Sequence, residues 1–241
     1  HSFWYSDGAQ WHEIGLTSDR YHIIDGDEDT RIDTESTPDE DKIRFTIDGT
    51  ELGRLDKKAF NLESENGALF LGTNSGKKNS IKSNTTAGDN TAVGAITLQG
   101  NTMRSENTAV GSASLANNDE GERNVAVGSN ALVLNSSGSN NIAMGTEALF
   151  LNTTGSENIA IGIEAMYANT TGVSNIAIGY KANANSAEGS TNIAIGRHSM
   201  QYSDGDNGIA IGESVLSNND GIENIGIGNL ALEDNTVGNN N

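Results

Sequence analysis

The sequence predicts an all-β protein, a parallel β-solenoid with coils of 16–17 residues behind a small β-rich N-terminal domain. Three observations lead there. A pentapeptide recurs at near-constant spacing from Asn90 to the C-terminus. A second glycine recurs in step with it. No segment carries apolar residues at helical spacing over about ten positions.

The pentapeptide is Asn-x-Ala-x-Gly. It runs Asn90 to Gly94, Asn107 to Gly111, Asn124 to Gly128, Asn141 to Gly145, Asn158 to Gly162, Asn175 to Gly179 and Asn192 to Gly196. Degenerate copies follow at Gly208 to Gly212 and Asn224 to Gly228. The spacing is 17 six times and then 16 twice, and Asn241 falls 17 after Asn224. A fixed period of this length marks stacked supersecondary units. The second glycines are Gly121, Gly138, Gly155, Gly172, Gly189, Gly205, Gly221 and Gly238. From each complete one to the next pentapeptide glycine is 7 residues, while the other step is 10, or 9 in the two short repeats. The fixed step therefore sets the register of the stack, and the variable step absorbs the lost residue.

Between the glycines lies an Ala-Leu-like pair, as at Ala131-Leu132, Ala148-Leu149, Ala165-Met166 and Ala231-Leu232. Asn-Thr-Thr-Gly or Asn-Ser-Ser-Gly often follows, and these are turn residues. One coil reads as a short strand, a glycine bend, a second short strand and a polar turn. Strand alternation puts Ile159 and Ile161 on one face and Ala160 and Gly162 on the other. One face fills the coil and the other is free for a second chain, which predicts an oligomer, most simply a homotrimer. The alternative is a monomer with an exposed alanine column. Asparagines at one coil position are placed to form a ladder. Nine coils at about 4.8 Å each span roughly 40–45 Å.

The repeats resemble the head repeats of YadA-like trimeric autotransporter adhesins over residues 90–241. The residues that carry the likeness include Asn124, Gly128, Asn141, Gly145, Asn158, Gly162, Asn175, Gly179, Asn192 and Gly196. The resemblance implies a left-handed parallel β-roll assembled as an intertwined homotrimer. The coils here are longer than is usual in those heads, which implies a wider turn. Similar repeats with the same Asn-Thr-Thr-Gly turns occur in phage tail fibres and in long bacterial surface fibre proteins.

Residues 1–60 read as a separate β-rich domain, and residues 61–89 as an irregular entry coil. Eight of the twelve aromatics lie in the first 70 residues. Ile43, Phe45 and Ile47 alternate with polar residues as a half-buried strand does, and Asp48-Gly49 signals a turn. Ala68 to Gly72 mimics the pentapeptide, but Gly72 lies 22 residues before Gly94, with Lys77-Lys78 in the insertion. The chain begins at His1 and ends on what reads as the start of another repeat, so a piece of a longer protein is expected.

Composition narrows the chemistry. The net charge of −19 disfavours nucleic acid and anionic membranes as partners. No apolar run reaches membrane-span length, so this segment is not expected to insert into a membrane. With no cysteine there is neither a disulfide framework nor a thiol nucleophile. Asp25, Asp27 and Asp29 have the alternate spacing of a calcium loop. Thr30 stands where that loop needs glycine, and Ser36 where it needs a bidentate glutamate, so a solvated acidic turn is the better reading. The histidines His1, His12, His22 and His198 do not pair at metal-ligand spacing. Asn84, Asn135, Asn152 and Asn169 begin glycosylation-type triplets, but their period is that of the turns. Trp4 and Trp11 are candidates for a receptor surface, with core or trimer-interface packing as the plainer role.

No cofactor and no enzymatic activity are expected. The function expected is a structural and adhesive segment of an extracellular homotrimeric fibre, on a bacterial surface or a particle, gripping a glycan or protein receptor. A phage tail fibre or contractile injection-system fibre shares the architecture. A carbohydrate-active solenoid enzyme is a more distant alternative, because Glu147, Glu157, Glu164, Glu188, Glu213 and Glu223 are scattered over coil positions.

Overall fold

The computed structural model describes residues 68–77, 88–101 and 105–241, together with the backbone of eight strands within residues 3–62. The chain divides into two units, His1–Gly67 and Ala68–Asn241.

The first unit holds two antiparallel sheets. Strands β1 (Phe3–Ser6) and β2 (Trp11–Ile14) pair with each other. Strands β3 (Leu16–Thr17), β4 (Arg20–Ile24), β5 (Thr30–Thr34), β6 (Ile43–Ile47), β7 (Thr50–Leu55) and β8 (Phe60–Leu62) form a meander in chain order. The alternating Ile43-Phe45-Ile47 segment is β6, and its Ile47 stands opposite Thr50 of β7.

The second unit is a parallel β-solenoid. Its ten strands are β9 (Leu69–Leu71), β10 (Thr91–Val93), β11 (Thr108–Val110), β12 (Val125–Val127) and β13 (Ile142–Met144), then β14 (Ile159–Ile161), β15 (Ile176–Ile178), β16 (Ile193–Ile195), β17 (Ile209–Ile211) and β18 (Ile225–Ile227). They stack in strict chain order, each parallel to the next. Leu69–Leu71, within the segment read as an entry coil, is the first of them and pairs with Thr91–Val93.

Register is column-true. Ala92, Ala109, Ala126, Ala143, Ala160, Ala177, Ala194 and Ala210 stand opposite one another, with Gly226 at the end. This alanine column is fully buried and lines the coil. Against it pack the alanines of the Ala-Leu pairs and a column of larger side chains: Leu98, Leu115, Leu132, Leu149, Met166, Met200 and Leu216. The core is thus one small residue wide on the strand side and one leucine wide on the other, enough for a thin stacked fold. An exposed alanine column, the premise of the monomer alternative, is not what forms.

The Ala-Leu segment is not a second strand. It is a turn in which alternate residues take left-handed backbone angles: Glu164 has φ 56° and Met166 φ 51°, as Glu147 and Leu149 have φ 59° and 52°. Non-glycine residues pay about 1–2 kcal/mol for that conformation. Bonding between coils offsets it. The Leu149 amide donates to the Ala165 carbonyl of the following coil at 3.0 Å, and the Glu147 amide to the Ser129 carbonyl of the preceding coil at 3.0 Å. A three-residue strand followed by alternating turns closes a 17-residue coil while keeping its backbone groups bonded.

Candidate interaction surface

The strand residues that do not line the coil point outwards. The first strand position runs Thr91, Thr108, Val125, Ile142, Ile159, Ile176, Ile193, Ile209 and Ile225, and the third runs from Val93 through Met144, Ile161, Ile178 and Ile211 to Ile227. The first column is half-buried up to Ile209, because neighbouring coils cover one another's flanks. The third is more open: Met144, Ile161, Ile178 and Ile211 are each about two-fifths exposed. Ile163 and Tyr180, one position past the strand glycine, add to the exposed apolar area in the middle coils. Exposed apolar side chains grouped on one face of a protein are candidates for an association surface.

Two asparagine ladders tie successive coils together. In the strand column, the Asn158 amide donates to Asn141 Oδ1 at 3.0 Å, and Asn158 Nδ2 to the Gly172 carbonyl at 2.8 Å. The same pair of bonds recurs from Asn107 to Asn175. In the turn column, Asn118, Asn135, Asn152 and Asn169 each donate Nδ2 to the Oδ1 one coil earlier, at 2.7–3.0 Å. Both ladders converge on the second glycine: the Gly155 carbonyl accepts from Asn141 Nδ2 and from Asn152 Nδ2. A Cβ on Gly155 would collide with Asn152 Oδ1, so the position admits glycine alone. This convergence explains why the seven residues from second glycine to strand glycine never vary.

The asparagines and glycines of the repeat, Asn124, Asn141, Asn158, Asn175 and Asn192 with Gly128, Gly145, Gly162, Gly179 and Gly196, are therefore placed in the stacking framework, the asparagines buried and bonded. The strand glycines have φ 130–140°, where a side chain would meet the glycine carbonyl of the next coil. The sequon asparagines Asn135, Asn152 and Asn169 are fully buried in the turn ladder, with Nδ2 engaged. They are not sugar acceptors in the folded chain. Asn84 lies outside the described residues.

Trp4 lies on β1 opposite Glu13, and Trp11 on β2 opposite Ser6. Asp25, Asp27 and Asp29, and the Asp48-Gly49 turn, lie outside the described residues. Among the described residues no group of three His, Cys, Asp or Glu side chains could hold a metal ion. Of the glutamates weighed for catalysis, Glu147 and Glu164 share one column and Glu157 and Glu223 another. Glu164 is engaged with Lys181 at 3.3 Å, and that bond and charge, with Tyr180 beside it, hold the ammonium above its ordinary pKa. Arg197 and Glu213 make a similar exposed pair at 2.9 Å. Phe150 and Tyr167 stack at 5.1 Å between successive coils.

Sequence reasoning missed the turn ladder and the direction of the strand faces. The ladder had a signal, since Asn118, Asn135, Asn152 and Asn169 also repeat at 17. Comparison of the chain with protein-family models, with curated proteins and with solved structures finds no match in any of the three.

Proposed function

We propose that this chain is a non-enzymatic structural and adhesive segment of an extracellular homotrimeric fibre, with left-handed coils like those of YadA-like adhesin heads. One observation supports this reading above the others: the bulky Ile/Val face of the parallel sheet points out of the coil, and the alanine face points in. A solenoid stabilised only within itself gains little from bulky apolar side chains at the open third strand position, where Met144, Ile161, Ile178 and Ile211 are about two-fifths exposed. Burying each such side chain against another chain contributes about 1.5–3 kcal/mol. A threefold arrangement lets every chain present the same face to its neighbours. The stiff rod that results holds a receptor-binding surface away from its anchor.

Sedimentation equilibrium tests the assembly. A mass three times the 25.2 kDa of one chain is expected, and a monomer mass at micromolar concentration would end this reading. Binding to arrayed glycans and cell-surface proteins tests the adhesive part. Turnover of a glycan in the same assay would favour an enzyme instead.

A further inference from the structure

From the pattern of buried polar atoms we infer that the two successive coils carrying Asn169 and Ser186 enclose between them a hydration site of one or two ordered waters, held by Asn169, Asn183 and Ser186. Four buried side-chain atoms among the described residues have no hydrogen-bond partner in the protein: Asn169 Oδ1, both amide atoms of Asn183, and Ser186 Oγ. Three of the four belong to two interruptions of the repeat that fall together, at Asn183 and Ser186, and the fourth, Asn169 Oδ1, stands one coil before Ser186 in the same ladder. Asn183 stands in the leucine column, between Met166 and Met200, and is 1% exposed. Ser186, fully buried, stands three residues later in the turn ladder, at the position that is asparagine in the four preceding coils, from Asn118 to Asn169.

The ladder shows what is lost. Asn152 Oδ1 accepts from Asn169 Nδ2 at 2.9 Å, as Asn135 Oδ1 accepts from Asn152. The next donor in the column is a serine hydroxyl, too short to reach Asn169 Oδ1. Asparagine is smaller than the leucine it replaces, and serine smaller than asparagine, so both changes add room in a polar part of the core. A buried polar group without a partner costs about 1–3 kcal/mol, and four within two adjacent coils would be a heavy penalty. A water needs roughly one probe sphere of space and two to four polar partners.

The chemistry selects water over an ion. The cluster offers one obligate donor pair (Asn183 Nδ2), two obligate acceptors (Asn169 Oδ1 and Asn183 Oδ1) and one hydroxyl that does either. No side chain of the three carries a charge. The donor disfavours a cation and the acceptors an anion, whereas water serves both kinds.

A crystal structure that orders internal solvent tests this, on the wild-type chain and on an Asn183→Leu/Ser186→Asn double variant that restores both columns. The wild type should show a solvent peak about 2.7–3.2 Å from at least two of the four atoms. The double variant should lose that peak and melt at a higher temperature. Side chains bonded to one another with no solvent between them would overturn the inference. So would a peak at metal-like distances of about 2.4 Å, or one that persists in the double variant. If the double variant does not fold, the wild-type map decides alone.

Discussion

Asn158 shows how much one residue carries. Its amide, Oδ1 and Nδ2 tie it to the coils on both sides: the amide donates to Asn141, Oδ1 accepts from Asn175, and Nδ2 donates to the Gly172 carbonyl. Truncation to alanine leaves the buried Asn175 amide without its acceptor, while the Gly172 carbonyl keeps the bond from Asn169 Nδ2. Asn158→Ala should therefore destabilise by about 1–3 kcal/mol, from one orphaned amide, read by chemical denaturation. The degenerate coils show compensation at the same scale. Where alanine gives way to Gly226 in the strand column, alanine gives way to Val215 beneath it, and a Cβ on Gly226 would lie 2.5 Å from Val215 Cγ1. Where the strand asparagine becomes Gly208, the Met200 methyl occupies its place, and the Gly208 amide still donates to Asn192 Oδ1 at 2.8 Å. Gly226→Ala should overpack the core by about 1–3 kcal/mol. Val215→Ala in the same chain should relieve most of that, a coupling that a double-mutant cycle measures.

At the scale of the element, the coil has one rigid part and one adjustable part. The rigid part runs from second glycine to strand glycine and contains the meeting point of both ladders. The adjustable part is the corner after the turn-ladder asparagine. In full coils Asn152 reaches the carbonyl of Gly155, three residues on, at 3.0 Å. In a short coil Asn219 reaches that of Gly221, two residues on, at 2.7 Å. The missing residue is thus taken from an exposed corner with the capping bond kept. Deleting Thr154 should copy the short coil and cost less than about 1 kcal/mol, since loop closure depends weakly on length. Deleting Glu157, inside the seven-residue step, should break the stack at that coil. Thermal melts followed by circular dichroism distinguish the two: a small shift for the first, a lost or split transition for the second.

For the whole solenoid, each coil touches only its neighbours, so stability is close to a sum over coil interfaces. The trimer reading adds a lateral term through the Ile/Val face. Ile161 and Ile178 are exposed on single chains, so Ile161→Asp/Ile178→Asp should leave each coil intact while placing charge in the interface. The expected result is a shift from trimer to monomer mass with an unchanged circular dichroism spectrum. A variant that stays trimeric would move the interface elsewhere on the coil.

Period, register and the fixed seven-residue step were legible in the sequence, because identical residues must stack when a chain winds at constant pitch. The alternating Ile43–Ile47 strand was legible for the same kind of local reason. Two things depended on closure of the coil. One was the direction of the strand: Ala160 goes in and Ile161 out because the leucine column already fills the opposite wall, leaving room for only a methyl. The other was the conformation of Ala165-Met166, which reads as strand by composition. It turns because bonds to the coils on either side repay left-handed angles that no isolated segment would hold. The sequence by itself determined that this protein stacks and in what register. The tertiary structure decided which face it keeps and which it offers, since a coil's interior has a width and a sequence pattern does not.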